Sequence, residues 1–292
     1  MGWLCLCCFF LKTGIDFRMP AQDTEDGASP AAALPPNLCY TFAFDHVGQD
    51  VHRRMARLLV TSLLRTGWHG RITVFRNSAR PVLCERHPAV AEVRLDVLPD
   101  PDFHETVKWK YRVREQLGVR GVGKVLFLDC DCLALRSLNE LMIGSWDIYT
   151  APEPGRITEP PFNGYLTGAE MESLRAAPGL NSGTFGVRAS RYQEVMAAWE
   201  EIDARKPLRG VKNRNQQSWN RLILDTPLRC RHFARGEVQF PFLHRAHYLD
   251  YRRAALVHAA DRSAEEKLGF LFGLWMDVFG KGRLEQVTRL RG

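Results

Sequence analysis

The chain has 292 residues, enough for one large α/β domain or two small ones, and its 45% hydrophobic and 25% charged residues exclude a disordered or fibrous chain. Forty basic against 33 acidic residues give a net charge of +7, which suits an anionic partner but reads equally as a solvated basic face. The eight cysteines include no CxxC pair, and no histidines stand at zinc-finger spacing, so buried free thiols in a reducing, cytoplasmic setting are the simpler account.

The opening run at residues 3–11 (WLCLCCFFL) is too short to span a bilayer and lacks the basic start and cleavage site of a signal peptide. Leu6 breaks the myristoylation pattern, and palmitoylation, a hydrophobic tuck or a start at Met19 stay open. Residues 20–37 are rich in Pro, Ala and small polar residues and read as a flexible linker, so the expected division is 1–37 and a single domain at 38–292.

From there the pattern alternates. Short apolar strands are expected at 39–44, 72–75, 93–98, 124–128, 147–151 and 184–187, with a late strand at 254–257. Helical periods cover 49–66, 106–117, 191–204 and 216–224, and Gly67 stands where a helix stop belongs. The run 270–279 (FLFGLWMDVF) has helical apolar spacing and is expected to pack on the domain or make peripheral contact with a membrane surface. Alternating elements with buried strands predict an α/β fold: a mainly parallel, Rossmann-like sheet with helices on both faces.

The strongest strand, Val125-Leu126-Phe127-Leu128, runs into Asp129-Cys130-Asp131-Cys132. If the chain stays extended, Asp129 and Asp131 share one face while Cys130 and Cys132 share the other. Two carboxylates at the carboxyl end of a buried strand lie where open α/β sheets bind ligands, and they repel unless a cation lies between them. A hard ion, Mg²⁺ or Mn²⁺, suits oxygen ligands. A capped surface turn would give the same three residues, and thiolate ligation by the cysteines lacks further soft ligands nearby.

KVLFLDCDCLAL resembles the strand and DxD motif of GT-A fold glycosyltransferases, particularly family 8. Asn181-Ser182-Gly183-Thr184-Phe185-Gly186-Val187 is similar to that family's "NSG" strand, Asn215-Gln216-Gln217-Ser218-Trp219-Asn220 to its "DQ" helix start, and Val257-His258 to its late histidine strand. The pieces occur in family order across roughly residues 38–260. The resemblance implies a metal-dependent transferase that moves a sugar, with retention, from a nucleotide-diphosphate sugar (a UDP-sugar first) to a carbohydrate, lipid or protein acceptor. It implies Asp129, Asp131 and His258 as ligands of Mn²⁺ or Mg²⁺, and Asn181 and Gln216 at the donor sugar, with Ser182 and Gly183 beside them. It further implies a donor-binding cation before the first acid, for which Arg112 fits best and Lys108 and Lys110 are rivals. Asp45, ending the first strand, is a candidate contact for base or ribose, and the stretch 153–180 is the expected acceptor loop.

Read without the resemblance, Asn-Ser-Gly is an ordinary turn, Gln216 a solvated helix start and His258 a core histidine. The sequence also departs from the pattern. Asn215 replaces the usual acid, and His258-Ala259-Ala260-Asp261 lacks the usual glycine, leaving Lys267 as the nearest later lysine. The alternatives are a sugar-phosphate nucleotidyltransferase, although the first loop has a single glycine and no lysine, or a basic binding module for nucleic acid or acidic membrane. Nucleic acid is not the expected partner.

Overall fold

The computed structural model describes residues 36–97, 103–205, 214–234, 236–243 and 254–280, within a compact unit of Pro35–Gly292. The apolar segment 3–11 and all but the last two residues of the linker lie outside the described residues. The strands are β1 (Leu38–Ala43), β2 (Arg71–Arg76), β3 (Val90–Arg94), β4 (Lys124–Leu128), β5 (Cys132–Ala134), β6 (Ile148–Arg156), β7 (Pro178–Arg188), β8 (Cys230–His232), β9 (Val238–Gln239) and β10 (Leu256–His258). The helices are α1 (Val51–Arg65), α2 (Phe103–Arg112), α3 (Gly168–Ser173), α4 (Tyr192–Arg205), α5 (Arg214–Asp225) and α6 (Ala264–Phe279).

Seven strands form one sheet in the order β3-β2-β1-β4-β7-β6-β8, and β5-β10-β9 form a second. Within the large sheet β7 alone runs antiparallel to its neighbours, so the fold is α/β with a mostly parallel, mixed, Rossmann-like sheet.

Strand alternation separates two cores. Leu126 and Leu128 of β4 pack with Leu59, Val60 and Leu63 of α1, while Val125 and Phe127 pack with Trp199 of α4 and Trp219 of α5. Both faces are therefore covered, which is why β4 is buried along its whole length. α6 closes a third cluster: Leu271, Leu274 and Trp275 bury against Met55 and Leu58 of α1. The Arg65 guanidinium lies 4.8 Å from the centre of the Trp275 ring. The run 270–279 is thus a packed helix, and among the described residues no helix is long and apolar enough to cross a membrane.

The helix expected at 106–117 runs Phe103–Arg112 and ends in a 3-10 turn at Val113–Glu115, and three strand boundaries differ from expectation for physical reasons. β6 continues through Pro152 and Pro154 because its pairing with β8 ends at Thr150, leaving that edge open, while β7 alone pairs it further on. β7 begins at Pro178 rather than near 184, so the Asn-Ser-Gly run is strand, and 153–180 is strand at both ends instead of one loop. β3 lies earlier than 93–98 because Glu92, a polar break in the apolar pattern, is used internally. Its carboxylate accepts from Val82 N and Leu83 N at 2.9 Å and pairs with Arg76.

Trp199 is fully buried, donates to Ser218 Oγ at 2.9 Å and stacks obliquely on Trp219 with ring centres 4.7 Å apart. Trp199→Ala is expected to cost about 3–5 kcal/mol, read as a lowered urea midpoint.

Candidate metal centre

After Leu128 the chain leaves the large sheet. Cys132 N donates to Asp129 O at 3.0 Å, closing a tight turn over residues 129–132, and β5 starts the second sheet at Cys132. Two outside bonds fix this turn: Asp129 N donates to Gly183 O at 2.8 Å, and Ala259 N donates to Asp131 O at 2.9 Å. The alternation expected for an extended segment does not apply in a turn. The acids still converge, but the thiols are not both on the far side: Cys132 lies in one tight group with Asp131 and His258, because His258 pairs directly with Cys132 across β10 and β5.

His258 Nε2 stands 3.1 Å from Asp131 Oδ1 and 3.9 Å from Asp129 Oδ2. Each acid also has an ammonium group: Lys110 Nζ at 3.0 Å from Asp129 Oδ2, and Lys267 Nζ at 2.7 Å from Asp131 Oδ2. Lys110 is held in place by Ser182 O at 3.2 Å and by the Phe127 ring at 5.0 Å. Of the three cations expected before the first acid, Lys110 makes this contact rather than Arg112 or Lys108, because it occupies the face of α2 turned toward β4. Burial would raise the Asp131 pKa, but Lys267 and His258 outweigh it and hold that carboxyl well below its usual range. Burial disfavours the Lys267 cation in the same way, and Asp131 more than restores it, lifting Lys267 to about 12.

Gly183 is the backbone wall of this centre. Any Cβ there would overlap Asp129 Oδ2 and His258 Cε1, so only glycine lets β7 approach so closely. The approach comes from a break in register: Thr150 of β6 pairs Phe185 and the next residue, Ala151, pairs Asn181. Ser182, Gly183 and Thr184 are therefore released from β6 and pushed toward the acids. α5 supports the arch. Asn220 bonds both Leu180 N and Leu180 O, Asn215 Nδ2 donates to Ser182 Oγ at 2.9 Å, and Asn181 Nδ2 donates to Gln216 Oε1 at 3.3 Å. Ser182 thus turns its hydroxyl to Asn215, while Asn181 and Gln216 meet each other.

Asp45 has a local role in the structure: its Oδ1 accepts from Arg53 N at 3.1 Å, tying β1 to the first turn of α1. A cavity of about 470 Å³ opens beside it, lined by Gly48, Gln49, Asp50, Arg53, Ser78 and Arg80, and none of the acids of the centre line it.

The donor set fits a hard divalent ion. Adjacent ligand atoms about 2.1 Å from Mg²⁺ stand about 3 Å apart in an octahedron. The separation of 3.1 Å from His258 Nε2 to Asp131 Oδ1 matches such a pair, and among the described residues that buried oxygen has no hydrogen-bond partner. Cys132 is the softer donor of this group, less suited to Mg²⁺ or Mn²⁺ than carboxylate oxygen or imidazole, and burial first and then Asp131 and Asp129 push its thiol well above the usual range. Its sulfur rests 3.8 Å from Thr184 Oγ1.

Glu153, expected only as the start of the acceptor stretch, accepts from Asn181 Nδ2 at 2.8 Å, and Lys267 has no firm place in the sequence pattern. The regular spacing of acid, Asn-Ser-Gly and histidine carried no signal for either. Comparison of the sequence with protein-family models finds no match, and comparison with curated proteins finds none.

Lys267→Met should leave Asp131 with His258 alone and destabilise the metal-free protein by about 3 kcal/mol at pH 7. Because the folded-state Asp131 pKa is depressed, this stabilisation is present above about pH 4 and disappears as pH falls through the folded value. Urea midpoints in EDTA for both proteins should therefore converge under strong acid.

Proposed function

We propose that the protein is a metal-dependent glycosyltransferase of GT-A type that uses a nucleotide-diphosphate sugar, UDP-linked in the first instance. The observation that carries this reading is the convergence of Asp129, Asp131 and His258 at the carboxyl end of β4, with Gly183 pressed against two of them. Asp129 Oδ2, Asp131 Oδ1 and His258 Nε2 would hold Mn²⁺ or Mg²⁺. When bound, such an ion supplies positive charge to the diphosphate that departs as the glycosidic bond to it breaks.

The lysines give the reading its second support. Two carboxylates already balanced by two ammonium groups attract a lone dication weakly, since little net negative charge remains. An arriving diphosphate changes that balance, because Lys110 and Lys267 can turn to its oxygens while the acids take the cation. Metal and nucleotide are then expected to bind together better than either alone, with reciprocal coupling. Asn181 and Gln216, fixed to each other on β7 and α5, would line the sugar, and Ser182 and Gly183 position the backbone beside it. Retention at the anomeric carbon is the outcome the family resemblance implies.

A thermal-shift series of UDP-, GDP- and CDP-sugars, each with and without Mn²⁺, tests this. UDP-sugars with Mn²⁺ should raise Tm by about 5 °C or more, with much smaller shifts for Mn²⁺ or the sugar alone. Asp129→Asn with Asp131→Asn should abolish the joint shift and lower donor hydrolysis at least about 100-fold. Full activity in that double variant, or in EDTA, would contradict the reading.

A further inference from the structure

Glu153 is an acid near the centre without a cation of its own. Asp129 has Lys110 and Asp131 has Lys267, whereas among the described residues no lysine or arginine pairs with Glu153. It is half-buried on β6, within the stretch between the two breaks in register with β7. Its Oε2 accepts from a neutral amide, Asn181 Nδ2, at 2.8 Å. Burial raises its pKa, offset in part by Asn181, His258 and Gln216, so the environment does not favour the bare carboxylate. A carboxylate that has lost much of its water without gaining a cation is costly.

Resting on the transferase reading above, we propose that Glu153 is a specificity-determining residue that accepts a hydrogen bond from a hydroxyl of the donor sugar. The network sets the direction. Asn181 joins Glu153 through Nδ2, and its Oδ1 accepts from Gly183 N at 2.8 Å. Gly183 in turn abuts Asp129 and His258. Glu153 is therefore one side chain removed from the wall of the cation site, the region that a sugar joined directly to a metal-bound diphosphate must occupy. Gln216 borders the same space through its contact with Asn181. Carboxylate and amides together offer strong acceptors beside a donor, the set that discriminates among sugar hydroxyls. Breaks in strand register commonly re-aim a side chain in this way.

Titration calorimetry with UDP and with UDP-glucose and UDP-galactose, each in the presence of Mn²⁺, tests the assignment on wild type, Glu153→Gln and Glu153→Ala. The proposal expects UDP affinity to be unchanged in both variants, while Glu153→Ala loses about tenfold to a hundredfold in affinity for the preferred UDP-hexose. Glu153→Gln should fall between, with an unchanged Tm as the check on folding. UDP-hexose binding equal to wild type, or an equal loss for UDP and UDP-hexose, overturns it, the latter by making Glu153 structural. A wild-type protein that binds neither ligand removes the transferase reading, and this inference with it.

Discussion

Two carboxylates turned toward one histidine at the end of a buried strand repel each other, and much of the surrounding structure serves to hold them there. The turn at 129–132 is held by one hydrogen bond to β7 and one from Ala259, just past β10, which keep its backbone from relaxing to separate the acids. Lys110 from α2 and Lys267 from α6 supply the compensating charge from two helices far apart in the chain. A buried charge deprived of its partner costs several kcal/mol, which makes these ion pairs a condition for the site and not an ornament on it. α6 packs on α1 through Trp275 and Leu271, so the helix that closes the third core also delivers Lys267.

The same constraint explains the register break in β7. For the Gly183 backbone to reach Asp129, three residues must leave β6, and their side chains and backbone need new partners. Asn215 at the start of α5 takes the Ser182 hydroxyl, while Asn181 and Asp129 take the Gly183 backbone. Gln216 and Asn220 brace Asn181 and Leu180 beside them, from a helix that otherwise packs Trp219 into the core. Gln217 reaches Pro160 O at 2.7 Å, so the connection between β6 and β7 is tied into the same support. Polar burial of this density is stable only because its members bond to one another or to backbone.

Much of the fold was legible in the sequence. β4 matches its expected bounds because four apolar residues buried on both faces leave a signal that polarity cannot blur. α1 matches because its apolar period ends at a true helix stop: Gly67 has φ 80°. The convergence of Asp129, Asp131 and His258 was also legible, although for a different reason than alternation, since a turn and a change of sheet bring them together. Residues whose role depends on tertiary pairing were not legible. Lys110 was one of three cations along a helix whose rotation no local pattern fixes. Glu153 sat among prolines and glycines that resemble a loop, and Cys132 was assigned by a periodicity that the chain abandons at Asp129.

The central claim is that the two acids and His258 form one cation site coupled to a diphosphate. Anomalous diffraction from crystals grown with Mn²⁺ and UDP measures it directly. The account predicts one strong manganese peak about 2.1–2.2 Å from Asp129, Asp131 and His258 Nε2, with the UDP diphosphate completing the shell and Lys267 drawn off Asp131. A peak ligated by Cys132 in place of Asp129, or UDP bound with no manganese between these residues, would contradict it.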